Sequence, residues 1–161
     1  MRYDLLSILL VDDNHHMRAL LTAILRAIGV RNIFDAGDGA EALQILRNHP
    51  VDLIMTDLQM QPLDGLDFVR LLRNSPDSPC PMIPVIMITG HSTLRRVGEA
   101  RDVGVTEFLS KPVTARGVLQ RIGLVVEHPR QFVRTEDYFG PDRRRKRDPV
   151  AAMAKRRAGE R

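Results

Sequence analysis

The chain alternates short unbroken apolar runs with longer stretches in which apolar residues recur every three or four positions. Leu5 to Val11 is the first run and ends in Asp12-Asp13. Asn14 then opens a stretch with Met17, Leu20, Leu21, Ile24, Leu25 and Ile28 at helical spacing, closed by Gly29. This pattern predicts a strand followed by an amphipathic helix. It recurs as Asn32 to Ala36 then Gly39 to Asn48, Val51 to Thr56 then Leu66 to Arg73, and Pro84 to Thr89 then Thr93 to Val103. A short fifth strand, Thr106 to Leu109, precedes a helix over Ala115 to Val126 with Val118, Leu119, Ile122 and Val125 on one face. Five strand–helix units in strict alternation predict an α/β fold: a doubly wound five-stranded parallel sheet with five helices on its two faces. Right-handed crossovers leave few other arrangements. Asn74 to Pro84 holds four prolines and Cys80 and is expected to be an irregular loop.

In such sheets a ligand site lies beyond the carboxyl ends of the strands, near the point where strand order reverses. The first predicted strand ends in Asp12-Asp13, the third in Asp57 and the fourth in Thr89, and the fifth is followed by Lys111-Pro112. Three carboxylates, a hydroxyl and an ammonium are therefore expected to converge. Clustered carboxylates call for a cation, and Mg²⁺, which takes a few carboxylate oxygens and bridges to phosphate, is the natural partner. Asp57 then has the chemistry of a nucleophile toward phosphorus. Lys111 and Thr89 are placed to hold the remaining phosphoryl oxygens. The chain has neither G-x-x-x-x-G-K-[ST] nor G-x-G-x-x-G, so the phosphoryl donor is expected on another molecule.

Taken singly, each residue has a plainer explanation. Asp12-Asp13 would read as a helix cap, Asp57 as a turn residue, Thr89 as a strand-end hydroxyl and Lys111 as a surface lysine. Only the set points to phosphoryl chemistry. His15 and His16 are neighbours whose side chains diverge by about 100° on a helix, and no Cys/His partner set accompanies them, so they are not read as zinc ligands.

The segments Asp12-Asp13, Asp57-Leu58-Gln59-Met60-Gln61-Pro62-Leu63-Asp64-Gly65, Thr89-Gly90 and Phe108-Leu109-Ser110-Lys111-Pro112 together resemble the receiver domains of two-component response regulators. The likeness is to the stand-alone, chemotaxis-regulator type, and it spans roughly residues 5–127. It implies a flavodoxin-like sheet of order 2-1-3-4-5 and a phosphoryl group accepted on Asp57. It also implies Mg²⁺ held by Asp12, Asp13, Asp57 and the Gln59 carbonyl, a switch formed by Thr89 and Phe108, and a cis peptide before Pro112. Gln59 and His91 occupy positions that tune the lifetime of the acyl phosphate in similar proteins. Implied partners are a sensor histidine kinase or histidine phosphotransfer protein, a downstream protein target and a second copy in a homodimer. Chemistry would be limited to Mg²⁺-dependent self-phosphorylation and autodephosphorylation. The sequence departs from the family pattern at Gln61, where proline is usual and here follows at Pro62.

Charge adds a second region. The formal net charge of +4 divides into −2 over residues 1–127 and +6 over residues 128–161. We therefore expect a receiver over 1–127 and a basic C-terminal extension over 128–161, disordered or partly helical, because so few large apolar residues cannot build an independent core. Tyr138-Phe139 before Gly140-Pro141-Asp142 reads as an aromatic anchor and turn. Arg143 to Arg147 is a cationic run, and Asp148-Pro149 a helix start. Tyr138, Phe139, Arg143, Arg144 and Arg145 are the candidate docking residues, toward an acidic partner or the acidic crevice of the receiver itself. A competing function is a nucleic-acid-binding regulator acting through this basic tail, although no recognition helix or aromatic-rich surface accompanies it. A free-standing phosphatase fits worse, since Asp57-Leu58-Gln59 lacks the Asp-x-Asp nucleophile motif. One cysteine and apolar runs far short of a membrane span point to a cytoplasmic protein with no membrane insertion.

Overall fold

The computed structural model describes residues 1–90 and 94–144. A 3₁₀ turn (Tyr3–Leu5) precedes β1 (Ser7–Val11), α1 (His15–Ile28), β2 (Asn32–Ala36), α2 (Gly39–Asn48), β3 (Leu53–Asp57) and α3 (Gly65–Asn74). There follow β4 (Val85–Thr89), α4 (Leu94–Val103), β5 (Glu107–Ser110), α5 (Ala115–Glu127), β6 (Phe132–Arg134) and β7 (Phe139–Pro141). The first five strands form a parallel sheet of order β2-β1-β3-β4-β5, the expected fold.

Strand side chains alternate between the two faces, and each face has its own core. Leu9, Val11, Ile54, Val85 and Met87 point toward α2, α3 and α4, meeting Leu46, Phe68, Leu72 and Val103. Ile8, Leu10, Leu53, Met55, Ile86 and Ile88 point toward α1 and α5, meeting Leu21, Leu25, Val118 and Ile122. Both faces being covered explains why the strands read as continuous apolar runs. Asn14, Asp38, Asp64 and Thr114 cap the starts of α1, α2, α3 and α5 by accepting backbone N–H bonds. Gly29, at φ 113°, closes α1 in the left-handed region.

The extension departs from expectation. Residues 132–141 are neither helical nor irregular: β6 and β7 pair antiparallel, Phe132 opposite Pro141 and Arg134 opposite Phe139. The turn falls between the strands, where the Thr135 N–H donates to the Tyr138 carbonyl at 2.8 Å, rather than at Gly140-Pro141-Asp142. A two-stranded hairpin is marginal in isolation. This one is held by the receiver. Tyr138 is buried, and its hydroxyl donates to the Pro141 carbonyl at 2.7 Å. Beneath the hairpin lies Arg73, 2% exposed, which donates to the carbonyls of Gly104 (3.1 Å) and Pro81 (2.8 Å). Its guanidinium lies 4.9 Å from the centre of the Phe132 ring. Burial pushes the Arg73 pKa down to about 10, so the group remains charged at neutral pH. The proposed helix start at Asp148-Pro149 lies outside the described residues.

Candidate functional site

Strand order sets the site. β1 and β3 are neighbours, so Asp12, just past the end of β1, stands beside Asp57, the last residue of β3. Oxygens of Asp12, Asp13 and Asp57 all lie within 4.8 Å of one another. Asn14 caps α1 with its own side chain, accepting from the His16 and Met17 N–H groups, which leaves the acids before it for other work. Asp12 is 1% exposed. One of its oxygens accepts the Asn14 N–H at 2.8 Å, while Oδ2 is buried without a hydrogen-bond partner among the described residues. Burial is the main cause that pushes its pKa up to about 6; the neighbouring Asp57 and Asp13 carboxylates add to the rise, against a lowering from the Asn14 N–H and Lys111. Asp13 is exposed and accepts the Gln61 N–H at 3.2 Å, tying the loop after β3 to the acidic cluster.

Lys111 supplies the cation seen in the structure. Its Nζ stands 3.3 Å from Asp57 Oδ1, its N–H donates to the Thr89 carbonyl at 2.8 Å, and the following peptide to Pro112 is cis, as expected. Thr89 is 3% exposed, and its hydroxyl has no hydrogen-bond partner among the described residues. Phe108, on β5, is half-buried and registers with Met87 on β4. Met87 and Thr89 lie two apart on one strand, so Thr89 and Phe108 belong to the same face of the sheet. Gln59 is exposed two residues beyond Asp57. His91 lies outside the described residues.

The tail residues go elsewhere. Tyr138, Phe139 and Arg143 sit by the α4–β5 connection, at the amino ends of the strands and away from the acidic crevice. The marker is the Arg143–Asp102 ion pair at 2.7 Å. The extension does not dock on the acidic crevice: it packs at the opposite end of the sheet, where the Phe132 ring meets the Arg73 guanidinium and the β7 backbone closes on Gly104. Arg144 pairs within the extension, with Asp142 at 2.9 Å, and Arg145 lies outside the described residues.

Two supporting residues were not foreseen. Arg18 donates from Nη1 to the Asp12 carbonyl at 2.6 Å and from Nε to Asp35 at 3.0 Å, bracing the end of β1 against β2. Its one signal in sequence is its place in the first turn of α1, facing back toward that strand end. Gly65 abuts Asp57: a Cβ there would collide with the Asp57 carbonyl oxygen and come within 3.1 Å of Leu58 Cα. The glycine in Asp64-Gly65 was legible only as a turn glycine.

Buried Asp12, Asp57 and Thr89, with the half-buried Lys111 against Asp57, thus gather at the carboxyl edge of a doubly wound sheet. The stretch that forms the sheet, residues 8–123, matches the model of the response regulator receiver domain, and the chain belongs to that family. It is therefore a receiver of two-component signalling. It is 33% identical over 122 residues to the chemotaxis protein CheY of Pseudomonas aeruginosa, covering 76% of this chain and 97% of that protein. Identity to the chemotaxis protein CheY-3 of Vibrio cholerae is 32% over 122 residues, with 76% and 92% covered. The crystal structure of Vibrio cholerae CheY4 superposes with a TM-score of 0.69 at 28% identity, covering 74% of this chain and 98% of that one. Residues 128–161 lie beyond the matched family stretch. Among the described residues no helix is long and apolar enough to cross a membrane.

Proposed function

We propose that the chain accepts a phosphoryl group on Asp57 from a phosphohistidine of a sensor kinase or phosphotransfer protein and thereby changes what it binds. The observation that carries this reading is the position of Asp57, between the carboxylates of Asp12 and Asp13 and the Lys111 ammonium 3.3 Å away. A carboxylate oxygen of Asp57 attacks phosphorus, an O–P bond forms, and the P–N bond of the donor breaks. The imidazole nitrogen keeps the electron pair and takes up a proton. Lys111 holds one phosphoryl oxygen, and Thr89 offers a hydroxyl that has no other partner among the described residues.

The donor set suits a hard divalent cation, since it consists of carboxylate oxygens and leaves the buried Asp12 Oδ2 without a partner. Asp12, Asp13, Asp57 and the Gln59 carbonyl would hold Mg²⁺. When bound it would neutralise the carboxylates and draw charge from the transferred group. Gln59 and His91 would set how readily water reaches the acyl phosphate, and so the rate of autodephosphorylation; with a small-molecule donor the same site would phosphorylate itself. After transfer, Thr89 turns toward the phosphoryl group and Phe108 fills the space on the same face, altering a surface for a downstream protein or a second copy.

The test is incubation with Mg²⁺ and acetyl phosphate, or with beryllofluoride, followed by intact-mass or fluorescence measurement. The wild type gains one phosphoryl group or responds to beryllofluoride, and Asp57→Asn does neither. Modification of the variant to the same extent would overturn the assignment. Nucleic-acid binding through the tail gains no support: Arg144 is engaged by Asp142, and the matched family is a receiver domain.

A further inference from the structure

Between β5, α5 and β7 lies a cavity of about 360 Å³, walled by Arg101, Glu107, Phe108, Arg121, Arg130 and Arg143. It is assembled from both parts of the chain. Arg101, Glu107, Phe108 and Arg121 belong to the receiver, whereas Arg130 and Arg143 belong to the extension.

Its charges do not balance. Glu107 is the one acid in the wall, and its carboxylate is shared by Arg130 at 3.1 Å and by Arg121 at 3.9 Å. Arg143 is held from outside the wall by Asp102 at 2.7 Å. Arg101 is exposed and has no ion pair among the described residues. Four guanidiniums thus face two carboxylates even when Asp102 is counted. Like charges gathered round a concavity repel one another and raise its affinity for an anion. Guanidinium forks match the paired oxygens of phosphate, and Val105, Phe108 and Pro141 give the cavity an apolar side for the rest of a ligand. The volume is that of a small-molecule site.

We infer that this cavity binds a small phosphate-bearing anion, gripped by Arg101, Arg121, Arg130 and Arg143. The site is separate from Asp57, whose acidic neighbours repel anions when no metal is present. It also gives the extension a purpose, because without Arg130 and Arg143 half of the cationic wall is gone.

The experiment is calorimetric titration of the full chain with sodium pyrophosphate, and separately with ADP, in buffer containing EDTA. We expect saturable one-to-one binding that weakens as salt is added. Arg121→Gln and Arg130→Gln should each weaken it about tenfold, the scale of one charge-assisted hydrogen bond. Replacing Arg145, Lys146 and Arg147 together by Gln should leave it unchanged, which separates the cavity from the basic run. Asp57→Asn should also bind as the wild type does, so failure here and failure of the phosphoacceptor assignment are distinguishable. Tighter binding of ADP than of pyrophosphate would assign the apolar side to a nucleoside, and equal binding would assign the site to the phosphate groups alone. Circular dichroism checks that each variant is folded. Absence of saturable binding to the wild type, or folded Arg121 and Arg130 variants with undiminished affinity, would overturn the inference.

Discussion

Gly140 of the extension lies so close to Gly104 of the receiver that a Cβ at residue 140 would stand 2.9 Å from the Gly104 Cα. Gly104 itself, at φ 102°, has the Arg73 side chain and the Phe139 carbonyl around it, each 3.1–3.2 Å from where its own Cβ would be. Two glycines thus let the β7 backbone approach the α4–β5 connection and cover Arg73. Truncation after Glu127 is predicted to lower stability by about 2–4 kcal/mol, through exposure of Tyr138's contact surface and of Arg73. Gly140→Ala should act in the same direction in the intact chain. Urea or thermal unfolding checks both, and a truncated receiver as stable as the full chain would mean that the hairpin contributes nothing.

The acidic cluster makes stability depend on pH in a direction set by Asp12. Its folded pKa of about 6 lies above the ordinary 3.8, so between these values the folded state keeps a proton that the unfolded state has lost. Without metal, stability should therefore fall as pH rises through that window, by on the order of 2–3 kcal/mol, and stay lower above it. Mg²⁺ needs the deprotonated carboxylate, so it should raise the melting temperature more at about pH 7.5 than at about pH 5. Asp12→Asn should be more stable than wild type in EDTA near neutral pH and respond little to Mg²⁺. A melting temperature in EDTA that climbs from about pH 4 to pH 6 would contradict this account.

Thr89 and Phe108 separate chemistry from response. Because the Thr89 hydroxyl has no hydrogen-bond partner among the described residues, Thr89→Ala removes no bond seen in this structure and should change stability by less than about 1 kcal/mol. It should accept a phosphoryl group from acetyl phosphate, yet show a reduced change in partner binding or beryllofluoride-induced spectrum. A full response in the variant would place the switch elsewhere.

The parts that sequence made legible are those with a repeating physical signal. Asn32–Ala36 and Gly39–Asn48 have the bounds that their apolar spacing predicts, and other strand and helix ends shifted by a residue or two, as at Glu107–Ser110. Asp12, Asp13, Asp57, Thr89 and Lys111 were traceable because each follows or closes an apolar run, and the topology of a parallel sheet brings such ends together. The hairpin was not legible. Its strands, Phe132–Arg134 and Phe139–Pro141, have three residues each, too short for alternation to register, and Pro141 reads as a turn. Arg73 looked like an ordinary basic residue in the last turn of a helix. Its surroundings combine the Pro81 carbonyl, eight residues on across an irregular loop, with the Gly104 carbonyl 31 residues away and the Phe132 ring of the extension, which no local pattern brings together.

Glycines in helices offer a final and opposite pair of outcomes. Intrinsic helix propensity favours alanine over glycine by about 1 kcal/mol, so propensity alone predicts that Gly65→Ala and Gly123→Ala both stabilise. At Gly123, inside α5, nothing lies within 4 Å of the new methyl group, and the gain should be realised as about 0.5–1 kcal/mol. Gly65 begins α3, and its N–H donates to the Leu58 carbonyl at 2.8 Å, drawing the helix start against the end of β3. A Cβ there meets the Asp57 carbonyl oxygen and comes 3.1 Å from the Met87 methyl group. Backbone cannot yield as a flexible side chain can, so Gly65→Ala should destabilise by about 1–3 kcal/mol. The shift falls on the residue that carries Asp57, which should also slow phosphorylation by acetyl phosphate relative to wild type, whereas Gly123→Ala should be phosphorylated at the wild-type rate. Melting curves and phosphorylation time courses of the two variants side by side test this. A Gly65→Ala chain as stable and as reactive as wild type would show that β3 and α3 can part without disturbing Asp57.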